Sequence, residues 1–321
     1  LPLLNYGDDG GGIRQYQLWA SHDQYSTGRT STVDDAYAQA WRATDGDCPR
    51  FYTDPVSRDI YRWMLGRVMT RRNTYTNVSY NDDPTIMQWE LCNGCRCPGS
   101  RGDELQEWIV EMAVAAKELA PRQLLAVGSE GFLCADDTAC LLADSGLSAA
   151  PSSLAAWAAR QGVDFVRNNQ PSAVDVAVYH ARPELWAPPG TYVGAPEDVQ
   201  RLLSEWIRAH EQSPLSKPVV LEAFDAPLPV QAWGFEAGSA RTPRFRAVLD
   251  AVADSHRTVA VAFWKLAPGP HRQAEDDVVC TDNHDISTCD SVKDHAALIE
   301  ARPLIASPPQ LPPNPSPPPK P

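Results

Sequence analysis

Short apolar runs alternate along this chain with longer segments in which apolar residues recur every three or four positions. The runs lie at residues 1–4, 86–91, 124–127, 174–178, 218–221 and 259–264. The longer segments include residues 55–72, 103–119 and 196–211, and their spacing predicts amphipathic helices. Near-continuous apolar strands between such helices indicate parallel strands that are buried on both faces. The pattern predicts an α/β fold, and six strand–helix units fit part of a (β/α)8 TIM-type barrel better than a doubly wound sheet.

Proline divides the chain into two parts. Nine of the 29 prolines fall within residues 307–321, and such a segment cannot form helix or sheet because proline lacks a backbone N–H and fixes φ. This distribution predicts a barrel domain over residues 1–306 and an extended polyproline II tail over residues 307–321. No glycine-rich phosphate-binding motif follows any predicted strand. The sequence therefore lacks the main signal of a nucleotide-binding fold.

Charge and cysteine content narrow the class of protein. The 28 basic and 41 acidic residues give a net charge of −13. Nucleic acid and anionic membrane surfaces both attract clustered positive charge, so we expect neither as a partner. No run reaches the roughly 18 apolar residues of a transmembrane helix. Eight cysteines and the lack of an initiator methionine predict a processed or partial protein that is secreted and extracellular.

In a parallel barrel the active residues lie at the carboxyl ends of the strands. Here those ends read NYGDD, WELCNG, VGSEGF, VYH, LEAFD and AFWK. With these motifs the chain resembles the endo-β-1,4-mannanase branch of glycoside hydrolase family 5, in clan A. The most specific stretch is RRNTYTNVSYNDDPTIMQWELCN at residues 71–93, and GSEGF, DFVRNNQ, KPVVLEAF and AFWKL follow in the order and spacing of that branch.

The resemblance implies a barrel that lacks its first two β/α units in this sequence. Residues 5–20 resemble the third-strand region of the branch, so Leu1–Leu4 corresponds to a third strand. An unpaired strand edge exposes backbone N–H and C=O groups, which is costly. We therefore expect either that another polypeptide covers the edge at Leu1–Leu4 or that the sequence is incomplete.

The family's retaining mechanism needs two carboxylates about 5–5.5 Å apart. The acid/base glutamate follows an asparagine after the fourth strand, and that position is Gly94 in this chain. The nucleophile position, directly before a phenylalanine on the seventh strand, is Ala223. A helper tyrosine two residues after the sixth-strand histidine is replaced by Arg182. The resemblance therefore implies that no catalytic position is intact.

Nearby carboxylates and remnants of a sugar cleft leave several functions open. Glu90, Glu222 and Asp225 lie close to the lost positions, and we interpret each as structural because catalysis tolerates only about 0.5 Å of misplacement. The resemblance implies that three residues of the cleft persist and could bind substrate: Asn93, His180 and Trp264.

We interpret the chain as a degenerate, secreted mannanase-like domain with a structural or carbohydrate-binding role in a wall, matrix or fibre. Its partner would then be a β-linked polysaccharide or other glycan, and no cofactor or metal is expected. One alternative is an active β-mannanase or related β-glycosidase with relocated carboxylates. Another is a purely architectural subunit, which would be supported if a bulky side chain such as Arg182 fills the cleft.

The cysteines predict disulfides rather than zinc. No histidine accompanies Cys92, Cys95 and Cys97, and disulfides prevail in secreted proteins. Two pairs, Cys134 with Cys140 and Cys280 with Cys289, each bracket a short polar loop and form the expected local bridges. The remaining four cysteines, which add Cys48 to the first three, are then expected to pair among themselves.

Two segments are candidates for attached sugars. Asn77-Val78-Ser79 is the one N-x-Ser/Thr sequon without an intervening proline, and it predicts an N-glycan. The tail resembles hydroxyproline-rich glycoproteins of plant and algal walls, which implies O-linked sugars at Ser316 or on hydroxylated Pro317 and Pro318. The alternative for the tail is a plain linker with unmodified prolines.

Overall fold

Helices and parallel strands alternate along the chain. The computed structural model describes residues 1–6, 12–26, 47–133, 156–183, 196–226, 235–255, 257–264, 266, 278, 280 and 286–300. The strands within these ranges are β1 (Gln88–Glu90), β2 (Leu124–Ala126), β3 (Ala177–Ala181), β4 (Val219–Phe224) and β5 (Thr258–Phe263). The helices are α1 (Ile13–Ser26), α2 (Pro55–Met69), α3 (Asp103–Leu119), α4 (Phe165–Asn169), α5 (Pro196–Glu211), α6 (Phe235–Ala253) and α7 (Ile286–Glu300), with 3-10 turns at Arg50–Tyr52 and Tyr80–Asp82.

The strands stand in chain order, and each is parallel to its neighbour. β1 pairs with β2, and β3, β4 and β5 form a second sheet. The backbone N–H groups of Asp175 and Val176 donate to the carbonyl of Leu125, at 2.8 and 3.3 Å, and thereby join the two sheets. Residues 1–5 pair in parallel with the other edge of β1. Such a succession is typical of a singly wound barrel wall and excludes the reversed strand order of a doubly wound sheet.

This wall curves around an interior. Glu90 on β1 forms a side-chain hydrogen bond with Glu222 on β4, although β2 and β3 lie between these strands in the chain. Parallel strands in chain order, followed by helices and facing a common interior, form a (β/α)-barrel architecture. The absence of two leading units, and a second polypeptide at the edge of Leu1–Leu4, stay predictions.

Helix α2 shows how the sequence sets the outer layer. Pro55 occupies the first helical position, where a missing N–H costs nothing, and the Asp54 carboxylate accepts the backbone N–H of Ser57 at 2.8 Å. The sequence pattern places Trp63 in the apolar stripe, but this side chain is 67% exposed. The buried face instead consists of residues spaced four apart, namely Ser57, Tyr61, Leu65 and Met69.

Two predicted boundaries need correction. The first predicted helix, residues 55–72, ends at Met69. The predicted strand at residues 174–178 is displaced to Ala177–Ala181, because the N–H of Val174 closes a turn on the carbonyl of Pro171 at 3.0 Å. Pairing with β4 therefore starts only at Ala177, and His180 lies within the strand.

Several predictions fall outside the described residues. These are the Cys134–Cys140 bridge and the tail at residues 307–321 with its candidate sugar positions Ser316, Pro317 and Pro318. Among the described helices, none combines the length and the apolar character that crossing a lipid bilayer requires.

Candidate functional site

The carboxyl ends of the parallel strands gather the candidate residues at one edge of the wall. We call this group the strand-end site and define it by Gly94, Glu130, Arg182, Ala223 and Trp264, with the side chains that contact them. Four of these residues follow β1, β2, β3 and β5, and Ala223 is the last residue but one of β4. Since the strands are parallel, their carboxyl ends point the same way, as a barrel active site requires.

Gly94, the expected acid/base position, has no side chain, and a neighbour fills the space. Its φ is +73°, a left-handed conformation that glycine adopts without strain. A Cβ added there would lie only 2.9 Å from Oε1 of Glu130. The Glu130 carboxylate thus occupies the volume into which a side chain at position 94 would extend.

Glu130 is held by Arg96 and lies beside His180. The Arg96 guanidinium donates to Glu130 Oε1 at 3.0 Å, and His180 Nδ1 lies 3.7 Å from Glu130 Oε2. Three aromatic rings surround the same guanidinium, with centroids 5.1–5.9 Å from its carbon: Tyr6, Phe132 and Trp157. Sequence reasoning missed Arg96 and Glu130 as site residues, although Arg96 sits between two cysteines of a stapled loop.

Ala223, the expected nucleophile position, carries no carboxylate. The residue has φ of +55°, and the register between β4 and β5 shifts between Leu221 and Phe224. This distortion lies at the end of the strand where the family's nucleophile would stand. The adjacent Glu222 turns instead toward Glu90.

Glu90 and Glu222 share a hydrogen bond inside the wall. Glu90 is only 2% exposed, and Gln88 Nε2 donates to its Oε1 at 2.8 Å. Burial, followed by the hydrogen bond and the charge of Glu222, raises the pKa of Glu90 to about 8 from its ordinary 4.5. The Glu90 carboxyl therefore retains its proton at neutral pH, and it can donate this proton to Glu222.

Arg182 lies against the aromatic ring that would form the floor of a sugar subsite, although Trp264 is still 37% exposed. Its Nε donates to Asp225 Oδ2 at 2.8 Å, and its guanidinium carbon lies 5.2 Å from the centroid of the Trp264 ring. Asp225 is buried, so the ion pair fixes the arginine. This is a cation–π contact, in which the Arg182 guanidinium lies over the face of the Trp264 ring that a sugar would otherwise contact.

The other two predicted cleft residues lie nearby but face different partners. Asn93 is half-buried, and its backbone N–H donates to the carbonyl of Leu4 at 2.7 Å. His180 is buried, its backbone N–H donates to the carbonyl of Glu130 at 3.3 Å, and its own carbonyl accepts from Trp206 Nε1 at 2.8 Å. The structure thus brings His180 to Glu130 and leaves Trp264 with Arg182.

Disulfides staple the loop that bears the acid/base position. The bonds are Cys92–Cys95, Cys48–Cys97 and Cys280–Cys289. The last is the predicted local bridge, and the first two pair the four remaining cysteines among themselves as predicted. Among the described residues, the one cluster of metal-ligating types is Cys48, Cys97 and Glu104. Both of its sulfurs belong to a disulfide, so it offers no thiolate to zinc.

Comparisons with known proteins agree with this geometry. A sequence profile of the family described as "GH family 5 beta-mannosidase-like" matches residues 1–143. Mannan endo-1,4-beta-mannosidase 1 of Oryza sativa subsp. japonica is 32% identical over 283 residues, which cover 84% of this chain and 56% of that protein. Putative mannan endo-1,4-beta-mannosidase 5 of the same plant is 38% identical over 216 residues, or 65% of this chain and 37% of that protein.

A solved structure extends the similarity to the fold. The endo-beta-1,4-mannanase from Thermotoga petrophila superposes with a TM-score of 0.69 at 26% identity, over 94% of this chain and 57% of that one. The chain therefore spans about half the length of the relatives that it matches.

Proposed function

We infer the function of this chain from its family, since it belongs to the endo-β-1,4-mannanase-like branch of glycoside hydrolase family 5. We propose that the domain does not hydrolyse glycosidic bonds and serves as a structural component of an extracellular glycoprotein assembly. The observation that supports this most is the Arg182 guanidinium, which lies over Trp264 and is anchored by Asp225.

The lost carboxylates support the same proposal. A retaining glycosidase needs a proton donor and a nucleophile on opposite sides of the scissile bond. Positions 94 and 223 offer neither, and the Glu130 carboxylate beside Gly94 is engaged in an ion pair with Arg96. Loss of the nucleophile removes the covalent route entirely, which no positioning effect can restore.

Relocated carboxylates do not meet the geometric requirement. Glu90 and Glu222 are in direct hydrogen-bond contact, whereas retaining enzymes separate their carboxylates by about 5–5.5 Å and inverting enzymes by more. A sugar ring cannot fit between two groups that touch. Asp225 is buried, and its carboxylate accepts a hydrogen bond from Arg182. This carboxylate therefore serves to hold the arginine.

The names of the relatives favour the second candidate function. The rice proteins are called mannan endo-1,4-beta-mannosidases, so an active β-mannanase or related β-glycosidase is the function that similarity alone predicts. A β-linked polysaccharide is then the natural ligand, either as substrate or as a binding partner. The Arg182 guanidinium over the Trp264 ring favours the architectural role over binding at this subsite, because a sugar that stacks on the same face would first have to displace Arg182.

Secretion and attachment to a wall, matrix or fibre belong to the same proposal. Three disulfides among the described residues support an oxidising, extracellular environment. The proline-rich segment at residues 307–321 would then form an extended, glycosylated rod that joins the domain to its assembly. A second polypeptide along Leu1–Leu4 would complete the wall.

Hydrolysis assays test the proposal. The full chain is incubated with mannan, glucomannan and cellulose, and reducing ends are measured against a buffer blank. Rice mannan endo-1,4-beta-mannosidase 1 serves as the matched positive control on mannan. We expect no release by this chain, and release well above the blank would overturn the non-catalytic role.

A further inference from the structure

A rigid hairpin presents the Asn77 sequon on the surface. Arg72 and Ser79 form an antiparallel bridge at its base. Above them the N–H of Asn73 donates to the carbonyl of Val78 at 2.8 Å, and the N–H of Asn77 donates back to the carbonyl of Asn73 at 2.9 Å. The backbone of the loop is therefore closed at both of its ends.

The Asn73 side chain tightens the turn from inside. Its Oδ1 accepts the backbone N–H of Tyr75 at 2.9 Å and that of Thr76 at 3.3 Å. Asn77 then adopts φ of +57°, a left-handed conformation that asparagine tolerates, and Arg72 donates to its carbonyl. These contacts fix the backbone at Asn77, while its side chain stays exposed.

Tyr75 is the most exposed large apolar side chain among the described residues. It is 97% exposed, and it stands two residues before Asn77 on the same turn. The backbone of this turn is ordered and holds the Tyr75 ring in water. In the chain without a glycan, the ring therefore gains no free energy from burial. Tyr75 and Asn77 are both exposed and lie two residues apart on one tight loop, so a sugar attached to Asn77 can reach the ring.

We propose that Asn77 carries an N-linked glycan whose first N-acetylglucosamine packs on the Tyr75 ring. The co-reactant is a lipid-diphosphate-linked oligosaccharide in the secretory pathway. Asn77 Nδ2 forms a bond to the anomeric carbon, and the bond from that carbon to the diphosphate oxygen breaks. The electron pair leaves with the lipid diphosphate, and the amide releases one proton. No electron acceptor or donor is needed.

Asn77, Ser79 and Tyr75 have different roles in this proposal. Asn77 is the acceptor, and Ser79 supplies the hydroxyl that the sequon requires. Tyr75 is a positioning residue, because its ring contacts the product sugar and takes no part in the transfer. The apolar face of a pyranose ring would cover the tyrosine and exclude water from both surfaces.

The test uses the full chain secreted by a eukaryotic cell, as wild type and as Tyr75→Ala, Tyr75→Phe and Asn77→Asp. Peptide mass spectrometry measures occupancy of Asn77 before and after removal of N-glycans in isotopically labelled water. Two enzymatic treatments then yield protein with the first sugar only and protein with none. Because complete removal converts Asn77 to aspartate, Asn77→Asp is the matched unglycosylated control.

We expect wild type and Tyr75→Phe to be occupied at Asn77, and the first sugar alone to raise the melting temperature by about 2 °C over Asn77→Asp. Tyr75→Ala should lose this increment and show reduced occupancy. An unmodified Asn77 in secreted wild type would overturn the proposal. An equal thermal increment in Tyr75→Ala and wild type would refute the role of the ring, since the fold of the alanine variant is verified by the same melting curve.

Discussion

The substitution Glu90→Gln tests the protonation of the buried Glu90–Glu222 pair in the barrel interior. Glutamine keeps the size and shape of glutamate, and its amide can donate to Glu222 as the protonated Glu90 does. It cannot ionise, so it removes one titrating group while preserving the hydrogen bond. The variant therefore changes how stability depends on pH and leaves the packing in place.

The direction of the effect follows from the raised pKa of Glu90. Below its ordinary value of 4.5, the folded and unfolded chains both hold the proton, and the contribution to stability is complete. As pH rises from 4.5 toward about 8, the unfolded chain releases the proton and the folded chain keeps it, so stability is lost. Each pH unit in this window lowers the free energy of unfolding by up to about 1.4 kcal/mol.

From pH 5 to pH 7 the expected loss in wild type is therefore about 2–3 kcal/mol from this group. Urea unfolding followed by tryptophan fluorescence at pH 5, 6, 7 and 8 measures it. Glu90→Gln should flatten the decline by that amount, whereas Glu118→Gln, an exposed carboxyl on α3, should not. Parallel pH profiles for wild type and Glu90→Gln would refute the assignment of a proton to the buried pair.

Three further predictions concern the strand-end site and its staple. Arg182→Ala should bare the tryptophan face and increase affinity for β-1,4-manno-oligosaccharides by about tenfold in calorimetric titration; unchanged affinity would show that the arginine blocks nothing. Restoring the carboxylates with Gly94→Glu and Ala223→Glu should yield a protein destabilised by about 1–2 kcal/mol, because Gly94 gains a Cβ at positive φ whereas Ala223 already carries one, and still inactive on mannan; recovered activity would contradict this. Cys48→Ser should lower the free energy of unfolding by about 3–4 kcal/mol, because Cys48 and Cys97 close a 49-residue separation; an unchanged urea midpoint would speak against the bond.

Much of the fold was accessible from the sequence because strand and helix periods are local signals. The helices at residues 103–119 and 196–211 have the predicted bounds. Helix α6 was not predicted, since Pro243 lies within it and proline normally ends a helix. The third strand begins later than predicted, because the N–H of Val174 forms a turn hydrogen bond with the carbonyl of Pro171. The apolar pattern gives no sign of this turn.

For the site, the sequence supplied candidate positions and not their contacts. The motif order assigned the expected catalytic positions to Gly94, Arg182 and Ala223, which lie at or just after the ends of recognisable strands, and this assignment stays a prediction. Sequence could not show that Arg182 meets Asp225, 43 residues away, or that Glu130 fills the space beside Gly94. Such contacts depend on side-chain direction at the ends of separate strands, which spacing along one strand does not determine.

The central claim is that this barrel has no nucleophile for a β-mannoside, and covalent trapping tests it most directly. A fluorinated mannotriosyl fluoride has an activated leaving group, so it labels a glycosidase nucleophile even when the acid/base residue is missing. Intact-mass spectrometry of the full chain after incubation reports the adduct, with the rice mannanase as the labelled control. We expect no added mass. A stoichiometric adduct that maps to Glu222 or Asp225 would contradict it.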